Sequence, residues 1–320
     1  MRVKAYPRLH VGLVDLATAT PRSYGGGGLM IRAPAIHAIA RPSAAIELVL
    51  GDEIDATGRI ELVDALQRLY VDHGVLSAVT IRSTAPQHVG LGTKTAMVMA
   101  ALVATVRLHR IRIDRHELQR LSGRGGASGI GVNGFFMGGF LADGGHAGHP
   151  PSYAPSSSQR LRDVPPVVSS IPIPEHWTFS LLLPHGSRVS GPAEVAFFRR
   201  ATPTAEGESL RMLSLLYHGI APAVAKADLP LLRASLQGIN RTGFKRSEVD
   251  AQPSARALLE ALDSEPRVAS GMSSLGPLVF AIAETHDADT LSRIASIASA
   301  FGAVHTVTVG QNRGYQWRRS

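Results

Sequence analysis

Apolar residues recur along this chain in two periods, and the switch between them outlines the architecture. Short runs at 3–6, 11–16, 46–50 and 78–83 read as strands. Ile60, Leu62, Val63, Leu66 and Leu69 fall at helical spacing and predict a helix over 60–73. Further helices are predicted over 93–107 and 115–121, and a strand broken by Gly138 and Gly139 over 135–142. The second half repeats the mixture, with strands at 177–183, 278–283 and 304–309 and helices at 210–225, 229–239, 254–262 and 290–301. Such mixing predicts an α+β protein in two lobes, with domains over 1–165 and 166–320.

Glycine punctuates this pattern in four places: 25–28, 90–92, 123–131 and 271–276. The run at 24–29 predicts a flexible or tightly turning loop. Residues 146–166, rich in His, Gly, Pro and Ser, read as a linker or mobile loop. The segment from Pro86 to Ala96 carries the most chemistry. Gly90 and Gly92 bracket Leu91 and let successive N–H groups approach an anion, while Thr93, Lys94 and Thr95 add hydroxyls and a charge at the positive end of a helix. Neither G-x-x-x-x-G-K-[ST] nor a strand–G-x-G-x-x-G–helix with a later acidic partner is present, so this cradle is of another kind.

Composition narrows the partners. At 320 residues and 44% hydrophobic content the chain can bury a sizeable core. It has no apolar run of membrane-spanning length and no apolar leader at its start, so a cytoplasmic protein with no membrane partner is expected. The absence of cysteine removes disulfides, thiolate metal sites and thiol nucleophiles. A net charge of +8 suits nucleic acid or small anions, but scattered basic residues and only 5% aromatics favour small anionic substrates over nucleic acid.

The motif Pro86-x-x-x-Gly-Leu-Gly-Thr-x-Thr95, followed by Gly-Met-Ser-Ser-Leu-Gly-Pro at 271–277, resembles the GHMP kinase superfamily, whose central motif is Pro-x-x-x-Gly-Leu-Gly-Ser-Ser-Ala. Pro-Arg-Leu-His-Val-Gly-Leu-Val-Asp-Leu at 7–16, the glycines of 24–29 and the loop at 123–131 point to one branch. That branch is similar to the β-ribofuranosylaminobenzene 5′-phosphate synthases and to the C-nucleoside synthases of the formycin and pyrazofurin pathways. The resemblance runs to Gln-Asn-Arg-Gly at 311–314 and implies a two-lobed GHMP kinase-like fold, a homodimer and carbon–carbon glycosidic bond formation. Phosphoribosyl pyrophosphate would be joined to an aromatic or heteroaromatic carboxylate with loss of pyrophosphate and carbon dioxide.

That chemistry distributes candidate roles. Lys94, His10 and Asp15 are the candidate catalytic residues. Gly90, Leu91, Gly92, Thr93, Lys94, Thr95, Arg124, Gly125, Gly126, Ser128 and Gly129 are candidates for the donor phosphates. Arg8, His10, Arg22, Gly26 and Gly27 are candidates for the acceptor, since Arg binds carboxylates bidentately and His10 can also move a proton. Such a donor travels with Mg²⁺, for which Asp15, Asp143 and Thr95 are candidates. Each lone Arg or His also has a packing reading, and His146 and His149 read as a solvated loop rather than a metal pair.

One departure bears on the acceptor: aminobenzoate-type members tend to read Gly-Thr-Gly-Thr-Gln where this chain has Gly92-Thr-Lys-Thr-Ala96. An added ammonium meeting a second carboxylate favours an aminopyrazole dicarboxylate and a place in C-nucleoside antibiotic biosynthesis. The alternatives are 4-aminobenzoate, as in methanopterin biosynthesis, or a GHMP small-molecule kinase.

Overall fold

The computed structural model describes all residues except 84, 160–162, 187 and 320. Three sheets organise it. The first runs Gln316–Arg318, Arg2–Ala5, Ile36–Pro42, Ser77–Ser83, Glu47–Leu50, antiparallel except for its last pair. Helices Ala56–His73 and Thr93–His109 cover it, the latter buried along nearly its whole length. The second sheet runs Arg8–Asp15, Arg22–Met30, Phe140–Asp143, Val167–Ile171, with the short His146–Ala147 strand beside Arg22 and Ser23. The third runs Ala269–Met272, Val279–Glu284, Trp177–Leu183, Val304–Val309, all antiparallel.

One core cluster joins Leu9, Val11 and Leu29 of the second sheet to Phe179 and Phe280 of the third and to Leu216, Leu232 and Leu236 of the helices between them. Packing therefore crosses residue 165, because Val167–Ile171 completes the second sheet against Phe140–Asp143. The mixed α+β architecture matches the sequence pattern. No helix among the described residues is long and apolar enough to cross a membrane.

Three expectations are corrected. The run at 24–29 is not a turning loop: Arg22–Met30 is a nine-residue, almost wholly buried strand. Its glycines serve close approach, for a Cβ on Gly28 would lie 2.5 Å from the Leu9 carbonyl oxygen and 2.6 Å from Ile130 Cγ2. The strand expected over 135–142 is helix Ile130–Met137 followed by strand Phe140–Asp143, the break set by Gly138 and Gly139 at φ of 72° and 78°. Residues 146–166, apart from 160–162, which lie outside the described residues, are no loose linker. Tyr153 is buried, with its ring edge-on to Tyr24 at 5.3 Å, and its hydroxyl donates to the Ala17 carbonyl.

Two helices escaped the pattern. Pro192–Ala201 opens on a proline at its first turn and buries the adjacent Phe197 and Phe198, which show no helical period. Gly243–Asp250 buries Phe244 and Val249 but also Lys245 and Glu248, so its inner face reads as polar.

Candidate active site

Two glycine loops meet face to face and build the floor of the site. Gly90 has φ of 102°, and a Cβ there would overlap the Ser273 carbonyl oxygen; one on Gly276 would overlap the Val89 backbone. The junction is sealed by Leu278 N–H donating to the Val89 carbonyl at 3.2 Å and Ser273 Oγ donating to the Gly90 carbonyl at 2.6 Å. Strand Arg8–Asp15 lies beneath: Ser274 N–H donates to the His10 carbonyl at 3.1 Å, and the Arg8 guanidinium donates to the Gly90 carbonyl. The sequence motifs at 7–16, 86–96 and 271–277 thus converge in space.

Above this floor lies a cavity of about 190 Å³ whose two ends differ in character. One end is cationic. Gly92, at φ of 66°, starts helix Thr93–His109 with no side-chain cap, and Gly90, Thr93, Lys94 and Thr95 line the wall with Arg8 and Arg124. Uncapped N–H groups, the helix dipole and three cations together suit a polyanion such as a diphosphate. Burial, then the neighbouring Arg124, bring the Arg8 guanidinium down to about 10, with Glu248 opposing; it remains charged at neutral pH. The other end is apolar, lined by Leu13, Ala127, Val189, Phe198 and Leu275. These side chains belong to one apolar cluster with Phe197 and Phe244, a chemistry that suits a flat ring.

Behind the cavity sits a buried charged group that sequence reasoning missed. Lys245 Nζ donates to Glu248 Oε2 at 3.0 Å and to the Ser274 carbonyl at 3.1 Å, both side chains being almost wholly buried. Burial lowers the Lys245 ammonium below its ordinary range, with Glu248 raising it again. His10 lines the cavity, and its buried Nε2 lies against Gly26 with no hydrogen-bond partner. Burial first, then Arg8 and Lys245, hold the imidazole well below its usual value. It is therefore neutral across the physiological range, which suits it to hydrogen bonding rather than to the proton shuttling its free pKa suggests.

Several expected site residues have other tasks. Asp15 caps the turn after its strand, accepting from Ala17 N–H at 3.0 Å and Thr20 N–H at 2.9 Å. Asp143 accepts from Gly129 N–H, Gly145 N–H and Ser128 Oγ, so the Ser128 and Gly129 donors expected for phosphate face a carboxylate of the chain itself. Arg22 donates to the Gly144 and Gly145 carbonyls, outside the cavity lining. Gly26 and Gly27 pack against His10 and Leu216, Gly126 faces Gln159 and Ser156, and Leu91 is buried. His146 stands edge-on to Tyr24, while His149 Nε2 lies 2.8 Å from the Thr20 carbonyl.

The Mg²⁺ candidates do not fit a protein-built metal centre. Asp15 and Asp143 are engaged by backbone donors, and Thr95 Oγ1 accepts from Arg124 Nε at 3.2 Å, a cation where a metal would have to sit. No cluster of three or more His, Asp or Glu suited to a metal occurs among the described residues.

Burial lifts the Asp143 carboxyl to about 6, against the opposing pull of its three donors and Arg22. Its folded value lies above the unfolded carboxylate at about 3.9, so its contribution to stability is full below about pH 4 and is lost as pH rises through 6. Two units correspond to about 3 kcal/mol, a fall expected in wild-type urea titrations between about pH 4 and 7 and missing from Asp143→Asn. An equal fall in the variant would assign the titration elsewhere.

Comparison with known proteins follows this geometry. Residues 59–139 match the GHMP kinases N terminal domain. Over 287 residues the chain is 31% identical to β-ribofuranosylphenol 5′-phosphate synthase of Archaeoglobus fulgidus, covering 89% of this chain and 88% of the relative. The Methanothermobacter thermautotrophicus protein of the same name is 29% identical over 317 residues, 96% of this chain and 95% of its own. Among solved structures, homoserine kinase from Cytophaga hutchinsonii superposes with a TM-score of 0.69 at 16% identity, over 98% of this chain and 96% of that one. Streptococcus pneumoniae phosphomevalonate kinase gives 0.70 at 12% identity, over 97% and 99%. These structures share the fold.

The relatives overturn the expected aminopyrazole-dicarboxylate acceptor and its place in C-nucleoside antibiotic formation, for the product in their name carries a phenol ring. They side with the benzene-ring alternative. The residue that prompted the expectation is engaged within the chain: Lys94 Nζ donates to Thr57 Oγ1 and lies 3.6 Å from Glu61 Oε1. By similarity along most of both chains, this protein belongs to the β-ribofuranosylphenol 5′-phosphate synthase family, on a GHMP kinase fold.

Proposed function

We propose that this enzyme joins the ribosyl 5-phosphate of phosphoribosyl pyrophosphate to a benzoate bearing a hydroxyl or amino group para to its carboxylate. The observation that carries this reading is the two-ended cavity, cationic at the helix start and apolar at Leu13, Phe198 and Leu275. The para substituent makes the carboxylate-bearing ring carbon nucleophilic. That carbon attacks C1 of the ribose as the diphosphate departs with its bonding electrons. The new C–C bond forms, and the electron pair of the ring–carboxylate bond returns to the ring as carbon dioxide leaves.

Arg8, Lys94, Arg124 and the N–H groups of Thr93 to Thr95 oppose the charge that grows on the departing diphosphate. Mg²⁺ enters as the counter-ion of that diphosphate, as part of the donor. The apolar end excludes water from the ring and disfavours a charged carboxylate relative to neutral carbon dioxide.

Incubation with phosphoribosyl pyrophosphate and 4-hydroxybenzoate or 4-aminobenzoate should release carbon dioxide and pyrophosphate in equal amounts and yield the ribosyl-arene 5′-phosphate by mass. Phosphate transfer from ATP to a small alcohol, with no reaction of either benzoate, would return the chain to the kinases. Phe198→Ala is expected to raise the acceptor KM about tenfold with the donor KM unchanged, the lost burial of an aromatic contact being worth about 1.5 kcal/mol or more. An equal rise in both would place Phe198 in the support of the whole cavity.

A further inference from the structure

The cationic end already holds an anion, supplied by the chain itself. Glu61, on helix Ala56–His73, lines the cavity and places Oε2 3.1 Å from Arg124 Nη1 and Oε1 3.6 Å from Lys94 Nζ. Its side chain is 24% exposed, against 15% for Lys94 and 17% for Arg124, so the three share one partly enclosed space. Thr57, one turn earlier on the same helix, accepts from the same ammonium, and Asp55, at that helix's N-terminus, contacts His88 Nε2 at 2.7 Å. The first turns of one helix thus lie against the phosphate loop and present a carboxylate between Lys94 of that loop and Arg124 of the loop at 123–131.

We propose that Glu61 is a positioning residue that occupies the diphosphate site before substrate arrives: it holds Lys94 and Arg124 in place and gives them up when the donor's diphosphate enters. The inference rests on the reading of this cavity as a diphosphate site. The carboxylate bridging both cations seats them where two phosphate oxygens must later sit, a seating that a neutral amide of the same shape partly retains, while its negative charge is what a diphosphate has to displace. A diphosphate offers more charge and more acceptor oxygens than one carboxylate, so it displaces Glu61. The exchange makes binding selective, because an anion that cannot engage both cations does not outcompete the internal one.

The test is the binding of inorganic pyrophosphate by calorimetry, with the full chain in a chelator, so that no divalent cation bridges the partners. Wild type is expected to bind, and Lys94→Ala to bind at least tenfold more weakly. Glu61→Gln, which keeps the shape and removes the competing charge, is expected to bind pyrophosphate about tenfold tighter and to lower the donor KM with the acceptor KM unchanged. Glu61→Asp keeps the charge and should stay within about threefold of wild type, with circular dichroism checking the fold of each variant. Unchanged or weaker binding by Glu61→Gln, while Lys94→Ala still weakens it, would overturn the role of Glu61 alone. Pyrophosphate binding that is absent from wild type or insensitive to Lys94 would overturn the diphosphate reading of the cavity.

Discussion

Gly90→Ala is expected to force the two glycine loops apart, lowering stability by about 3–5 kcal/mol and abolishing turnover. Two costs combine. An L side chain at φ of 102° is strained, typically by about 1–3 kcal/mol, and its Cβ overlaps the Ser273 carbonyl oxygen rather than a flexible side chain that could swing away. The only relief is to move the loop, which breaks the bonds that Ser273 and Arg8 make to the Gly90 carbonyl. Gly276→Ala attacks the same junction from its other side, at the Val89 backbone. Since both variants open one interface, the double variant should lose less than the sum of the singles. Urea denaturation of the three proteins measures this, and a Gly90→Ala enzyme of wild-type stability and activity would mean that the loops part freely.

Lys245→Met should be almost as damaging, for an electrostatic reason. The ammonium is buried and neutralises Glu248 3.0 Å away, so its removal leaves a largely buried carboxylate without its hydrogen-bonded ion-pair partner. Loss of one partner of such a pair commonly costs about 3–5 kcal/mol, whereas replacing both by apolar groups of similar volume is often neutral. Lys245→Met with Glu248→Leu is therefore expected to regain most of the stability lost by the single variant, measured in the same way. Full stability of Lys245→Met would show that Glu248 takes up a proton or another cation without penalty. Activity is expected to remain impaired in the double variant, because Glu248 lines the cavity beside Arg8.

The loop-and-helix part of the cationic end was readable from the sequence because it is local. Gly90, Gly92 and the residues that open helix Thr93–His109 are consecutive, so the glycine turn, the hydroxyls, the ammonium and the apolar helix behind them are read as one unit. What escaped depends on tertiary approach. Glu61 falls on the polar side of its predicted helix and reads as a solvated charge until Lys94 and Arg124 are seen to reach it. Lys245 and Glu248 lie on a helix that the sequence pattern does not predict, and nothing in their neighbours discloses that both are buried. Phe198 gave no period because its neighbour Phe197 is buried too. The acceptor was misjudged for the same reason: a lysine's sequence neighbours do not disclose that its charge is engaged from another helix. The glycines of Arg22–Met30 read as a turning loop because their close contacts, to Leu9, Ile130 and Leu216, come from distant segments.

The junction of the glycine loops also has a consequence for how the molecule comes into being. Translation delivers the strand bearing Arg8 and the phosphate loop first, whereas Ser273, which closes over them, follows 183 residues after Gly90. A nascent chain halted before those residues emerge has the Gly90 carbonyl without the Ser273 hydroxyl and the Val89 carbonyl without the amide of Leu278. The binding site is accordingly a late product of synthesis, acquired only when Ser273 to Leu278 have left the ribosome, and a chain cut short of them carries the conspicuous motif without a place to use it.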